Sequence, residues 1–106
     1  MSTYQHLKLS KDGQALVVHF VDRQIAGVTP FAVGQELHAM TMEEECGNVV
    51  LDFSGVDFLT SEMLGKVVVL NKRLRQKGGT LSLRGLCPQI RQVFAVTKLD
   101  LILDIQ

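Results

Sequence analysis

The chain has 106 residues, 46% of them hydrophobic and 21% charged, with 11 Lys+Arg against 11 Asp+Glu. One domain over residues 1–106 is expected, burying roughly two-thirds of the surface its unfolded chain exposes, which argues against disorder and against folding that depends on metals or disulfides. A formal net charge of zero gives no overall attraction to nucleic acid or anionic lipid.

In chain order, His6 to Ser10 and Gln14 to Val21 read as strands, with Lys11-Asp12-Gly13 as the turn of an antiparallel hairpin. Asp22 to Val28 has no period and reads as a surface loop. Thr29 followed by Pro30 reads as the N-cap and first position of a helix running to about Glu45, with Val33, Leu37 and Met40 as its buried stripe. Asn48 to Phe53, bounded by Gly47 and by Ser54-Gly55, reads as a central strand covered on both faces, and Val56 to Leu59 as a second short extended piece. The clearest helix begins at Thr60 or Ser61, carries Leu64, Val67, Val68, Asn71 and Leu74 at helical spacing, and closes at Gly78-Gly79. Thr80 to Arg84 alternates as a strand. Pro88 opens a short helix with Ile90, Val93 and Phe94 inward, and Leu101, Leu103 and Ile105 suggest a last edge strand. The order β-β-α-β-α-β-α-β predicts an α/β fold: a mixed sheet with an N-terminal antiparallel hairpin and parallel, right-handed βαβ crossovers, helices packed on the sheet.

No apolar run approaches the ~20 residues that span a bilayer, so no membrane insertion is expected. Met1-Ser2-Thr3-Tyr4-Gln5-His6 shows no basic stretch followed by an apolar one, so a cytoplasmic location is expected. From Met63 to Leu99 there is no Asp or Glu, only Lys66, Lys72, Arg73, Arg75, Lys77, Arg84, Arg91 and Lys98, while Glu36, Glu43, Glu44 and Glu45 form an acidic counterweight. Such charges serve as solvated helix faces or as a surface that steers a protein partner. Cys46 and Cys87 lie far apart, and His6, His19 and His38 are scattered, so no metal site and no redox motif is expected.

Catalytic motifs fail on spacing. Leu64-Gly65-Lys66 lacks the glycine and the hydroxyl that a phosphate-binding loop needs, since Thr60 and Val67 occupy those positions. Ser61 has no flanking glycines for a nucleophile elbow, and Asp52 has no acidic pair on the first strands to hold magnesium beside it. No cofactor and no enzymatic activity are expected. The hydroxyl pair Thr60-Ser61 at a helix start remains, readable in two ways. A capping hydroxyl satisfies an unpaired helix amide and is worth ~1 kcal/mol. A phosphate at the same place would meet free amides and the positive end of the dipole, and would add charge beside a surface patch of Met63, Leu59 and Phe58.

The run Leu51-Asp52-Phe53-Ser54-Gly55-Val56-Asp57-Phe58-Leu59-Thr60-Ser61-Glu62-Met63-Leu64-Gly65 resembles the signature of STAS domains, roughly D-L-S-x-V-x-F-h-D-S-S-G-L-G with h apolar. Lys77-Gly78-Gly79 before a strand, Leu86-Cys87-Pro88 opening a helix, Phe94 and the closing Leu99 to Ile105 extend the likeness from Leu7 to Ile105. The resemblance implies an anti-sigma factor antagonist, a non-catalytic switch that binds an anti-sigma factor. That partner is itself a serine kinase of the histidine-kinase ATPase type and phosphorylates the first motif serine; a phosphatase reverses the modification. That serine falls on Ser61, with Thr60 a second acceptor candidate. Thr60, Glu62 and Met63 stand where the pattern has aspartate, a second serine and glycine. By the same resemblance the partner contacts Phe58, Leu59, Thr60, Ser61, Glu62 and Met63, together with Asp22 and Arg23 from the loop Asp22 to Thr29. The altered motif also suits a constitutive STAS scaffold or a transporter-associated module without a phosphorylation switch.

Overall fold

The computed structural model describes residues 4–44 and 47–106; residues 1–3 and the expected helix end at Glu45-Cys46 lie outside the described residues. β1 (Leu7–Asp12) and β2 (Ala15–Phe20) form the antiparallel hairpin. Its turn is tighter than the composition suggests, because Lys11 and Asp12 belong to β1 and only Gly13-Gln14 cross between the strands. Gly13 has φ +64°, the positive value that a two-residue hairpin loop demands and that glycine adopts without a steric penalty.

The chain continues through β3 (Gln24–Ile25), α1 (Thr29–Glu43), β4 (Asn48–Asp52), β5 (Phe58–Leu59), α2 (Ser61–Gln76), β6 (Thr80–Arg84), α3 (Pro88–Val96), a single 3-10 turn (Leu99–Leu101) and β7 (Asp104–Ile105). The main sheet runs β1-β2-β4-β6-β7, parallel everywhere except at the hairpin, so the predicted mixed α/β architecture is the one observed. β3 and β5 make a separate two-stranded parallel ribbon.

Leu16, Val18 and Phe20, then Val49, Leu51 and Phe53, then Leu81 and Leu83 enter one core with Val33, Leu37 and Met40 of α1, Leu64, Val67, Leu70 and Leu74 of α2, and Ile90 and Phe94 of α3. All three helices therefore cover the same face. Residues of the other parity, Lys8, Ser10, Val17, His19, Val50, Asp52, Ser82 and Arg84, make up the opposite, largely polar face, on which Val17 is buried beneath its neighbours. This corrects the expectation that β4 is covered on both sides. Its alternation is that of a strand with one packed face and one facing water.

Terminal details differ in physically readable ways. The N-cap of α1 is Val28, not Thr29, and it supplies no side-chain hydrogen bond; Thr29 already lies inside the helix, its N–H donating to the Ala26 carbonyl at 3.1 Å. α1 ends at Glu43, with Glu44 extended. α2 closes as predicted. Gly78 has φ +79°, its N–H donates to Arg75 O at 3.0 Å, and Gly79 N–H reaches back to Leu74 O at 2.7 Å, the paired bonds of a Schellman motif. In α3, Ile90 and Phe94 are buried but Val93 is partly exposed, because this nine-residue helix touches the core along one narrow stripe. Lys98, at φ +62°, ends α3, and the 3-10 turn consumes Leu99–Leu101, so only Asp104–Ile105 remain to pair at the edge.

Gly85 joins β6 to the core from the other end. Its φ is +74°, and a Cβ there would stand 2.7 Å from Asp52 Oδ1 and collide with Ser54 Oγ. Gly13 has a similar φ, but a Cβ at that position would meet nothing within 4 Å. Gly13→Ala should therefore cost about 1–2 kcal/mol for the left-handed backbone alone. Gly85→Ala should cost clearly more, read as urea midpoints on the two variants; equal losses would show that crowding at Gly85 is irrelevant.

Candidate functional site

After β4 the chain turns at Ser54-Gly55, where Gly55 has φ +89° and Val56 N–H donates to Phe53 O at 2.9 Å. Buried Val56 pins this turn to the core. β5 then lies parallel to β3, with Gln24 opposite Phe58 and Ile25 opposite Leu59. Asp57 N–H donates to Arg23 O at 2.7 Å and Thr60 N–H to Ile25 O at 3.1 Å. The Arg23 guanidinium grips Asp57 Oδ2 through Nε at 3.0 Å and Nη2 at 2.7 Å. Both side chains are exposed, so this pair aligns the ribbon more than it stabilises it. Part of the loop predicted for Asp22 to Thr29 is thus a strand, and it brings Arg23 against the motif. Asp22 turns away, its carboxylate meeting His6 Nδ1 at 2.7 Å.

Two-residue alternation along β5 sends Phe58 outward, 52% exposed, and Leu59 inward at 6%. On the first turn of α2, Ser61 and Glu62 face solvent while Met63 is fully buried at 0%. The expected contact patch of Met63, Leu59 and Phe58 is corrected accordingly. Leu59 and Met63 are core residues, and Phe58, Ser61 and Glu62 with Arg23 form the exposed surface. Met63 belongs to the stripe Met63, Val67, Leu70 and Leu74 that packs α2 on the sheet.

Thr60 is the N-cap of α2, in an extended conformation, yet its hydroxyl makes no capping bond. Oγ1 is buried without a partner among the described residues, and Met63 N–H instead donates to the Thr60 carbonyl at 3.0 Å. The predicted side-chain cap is absent. The N–H groups of Ser61 and Glu62 have no acceptor among the described residues, as the first amides of a helix do unless something outside supplies one.

One contact has no counterpart in the sequence reading. Phe31, on the first turn of α1, is 57% exposed, and Lys66 Nζ sits 5.8 Å from its ring centroid, within cation–π range. The Lys66 stem runs across Gly34, where a Cβ would stand 2.7 Å from Cδ. The two helices therefore approach closely beside the start of α2. Phe31 lies off the stripe of Val33, Leu37 and Met40, which was the available signal.

Behind the site, Asp52 ends β4 on the polar face. Ser54 N–H donates to its Oδ1 at 2.9 Å, Arg84 Nε lies 3.4 Å from Oδ2, and His19 Nδ1 is 3.4 Å from the same oxygen. Burial pushes the carboxyl upward, but hydrogen bonds from Ser54 and the Arg84 guanidinium outweigh it and hold the group below its ordinary value. Among the described residues no cluster of three or more His, Cys, Asp or Glu could hold a metal ion, and no helix is long and apolar enough to cross a membrane.

The family model described as Mlab, STAS domain matches residues 8–104. The chain belongs to the STAS domain family. A STAS domain protein from Planctomyces limnophilus is 21% identical, with a TM-score of 0.81 over 94% of this chain and 87% of its own. An anti-sigma factor antagonist from Mycobacterium paratuberculosis is 23% identical, TM-score 0.81, covering 93% of this chain and 82% of its own. The Bacillus cell fate determinant SpoIIAA, in its phosphorylated form, is 15% identical, TM-score 0.69, covering 94% and 90%. No curated protein sequence gives a significant match. At these identities the solved structures establish the fold this STAS domain shares with them.

Two outcomes follow from the geometry. Thr60→Val, which removes an unpartnered hydroxyl, should leave stability within about 0.5 kcal/mol of wild type or raise it, whereas a working cap would lose ~1 kcal/mol; thermal denaturation decides. Asp52→Asn should lose about 1–3 kcal/mol near neutral pH. Because the folded carboxyl titrates below the unfolded one, its contribution is full above about pH 5 and fades as pH falls through the lowered value, so the gap between the two proteins should close in acid.

Proposed function

We propose that this STAS domain is a cytoplasmic anti-sigma factor antagonist, a non-catalytic binding module switched by phosphorylation of Ser61. The observation that carries the reading is the exposed position of Ser61 at the first residue of α2, in the place of the family's motif serine, beside two amides without acceptors. The buried hydroxyl of Thr60 supports Ser61 over Thr60 as the acceptor. Phe58, Glu62 and Arg23 around it supply an apolar anchor and both signs of charge for the partner.

The partner is an anti-sigma factor kinase of the histidine-kinase ATPase type. It transfers the terminal phosphoryl group of a nucleoside triphosphate to Ser61 Oγ, with loss of the hydroxyl proton, and a phosphatase hydrolyses the ester. The modification adds about −1.5 to −2 charge at neutral pH. The helix start accommodates that charge locally. A partner surface that had closed over a neutral serine would have to desolvate it, and binding is lost.

Glu62 supports a second reading. It places a permanent negative charge directly after Ser61, which opposes phosphoryl transfer and fits a constitutive STAS scaffold or a transporter-associated module.

Intact-mass spectrometry with site mapping on protein from its native cell separates the two. The switch predicts one phosphate, lost in Ser61→Ala and retained in Thr60→Val, and at least tenfold weaker capture of the anti-sigma factor by Ser61→Asp. A phosphate-free protein under every growth condition, with Ser61→Asp binding like wild type, would leave the constitutive reading.

A further inference from the structure

β1 is an edge strand with a neighbour on one side only. Val21 N–H donates to His6 O at 3.0 Å. Continuing the register Lys8↔His19, Ser10↔Val17 and Asp12↔Ala15, those residues form the pairs that exchange hydrogen bonds with β2. The main-chain groups of Leu9 and Lys11 then point away from the sheet. They find no partner among the described residues. The strand is six residues long and contains no proline, and an unpaired edge of this kind is a template for another strand.

We infer that the occupant of this edge is a second copy of the chain, paired antiparallel through β1 about a two-fold axis at Ser10. Charge selects both the occupant and the register. Lys8, Lys11 and Asp12 are exposed, and none makes an ion pair among the described residues. An axis at Lys8 or at Lys11 sets like charges opposite each other. One at Leu9 sets Lys8 against Ser10 and Leu7 against Lys11, with no charge pairing. The axis at Ser10 sets Lys8 against Asp12 twice, and in this register these are the non-hydrogen-bonded pairs, where side chains come closest. Leu9 and Lys11 of facing strands then exchange main-chain hydrogen bonds. The half-buried Leu9 is covered by the methylene stem of Lys11 from the other copy.

An axis perpendicular to the sheet keeps the helix layers of both copies on one side. Five strands become ten, and the packed face continues across the junction. The axis passes nearer the hairpin turn than the end where β2 and β4 finish, so the two α2 starts lie at opposite ends of the joined sheet, clear of the interface.

Sedimentation velocity over a concentration series tests this on the full chain. Wild type should show a reversible monomer–dimer equilibrium. Lys8→Glu, which turns two attractive pairs into repulsive ones, should weaken it by about tenfold or more. Leu9→Pro, which removes an N–H from the outward edge only, should do the same while circular dichroism and Tm stay near wild type. Combining Lys8→Asp with Asp12→Lys should restore the dimer, and this exchange decides the matter if the proline variant folds poorly. A monomer at every concentration, a dimer indifferent to Lys8→Glu, or a charge exchange that fails to restore association would overturn the inference.

Discussion

The structure rests on a sheet covered by helices on one face only. Because side chains along a strand alternate strictly, a single choice of parity fixes where every strand residue goes. Leu16, Val18 and Phe20 must share a side with Val49, Leu51 and Phe53 and with Leu81 and Leu83, since the three helices supply apolar surface to that side alone. A one-residue slip in β4 would carry Asp52 into the core and Leu51 into water, exposing one of the fully buried leucines. Register is thereby specified by packing, and the aromatic contacts of Phe53 with Phe20 and Phe94, at centroid distances of 4.9 and 6.3 Å, lock the layers where all three meet.

The exposed surface around Ser61 is a consequence of the same parity. Phe53 anchors the end of β4, Val56 anchors the turn, and Leu59 and Met63 anchor either side of the helix start. Between these points the same parity turns Phe58, Ser61 and Glu62 outward. Asp52 completes the support from the polar face, holding the Ser54 turn through its main-chain amide while Gly85 leaves room for that contact. The exposed surface around Ser61 is therefore built on buried positions.

Most of this frame is legible in the sequence, for identifiable reasons. β2 and β6 declare themselves by alternation, β4 by a short apolar run bounded by Gly47 and Ser54-Gly55, α2 by its period, and the Gly78-Gly79 closure by the chemistry of a left-handed cap. Local chemistry misleads where tertiary context decides the outcome. Lys11 and Asp12 look like turn residues but are tolerated at the exposed end of an edge strand. Thr29 and Thr60 look like capping hydroxyls, yet the chain enters α1 one residue earlier and the Thr60 hydroxyl is sealed inside. Leu59 and Met63 join the motif by proximity, although parity and helical period already point them inward. β3 leaves no signal at all, because a two-residue strand paired in parallel with a segment more than thirty positions away has no local signature.

That ribbon of β3 and β5 sets the mechanics of the surface around Ser61. It is detached from the main sheet, two residues long, and tied down by buried Ile25 and Leu59 and a few main-chain bonds. Segments held by so few interactions open at far lower free energy than the strands of a central sheet. The main-chain bonds that Asp57 and Thr60 make to β3 are accordingly expected to open before those of the central sheet. Arg23, Phe58 and the start of α2 thus form the more deformable part of the surface, set over the longer pairings of β2, β4 and β6.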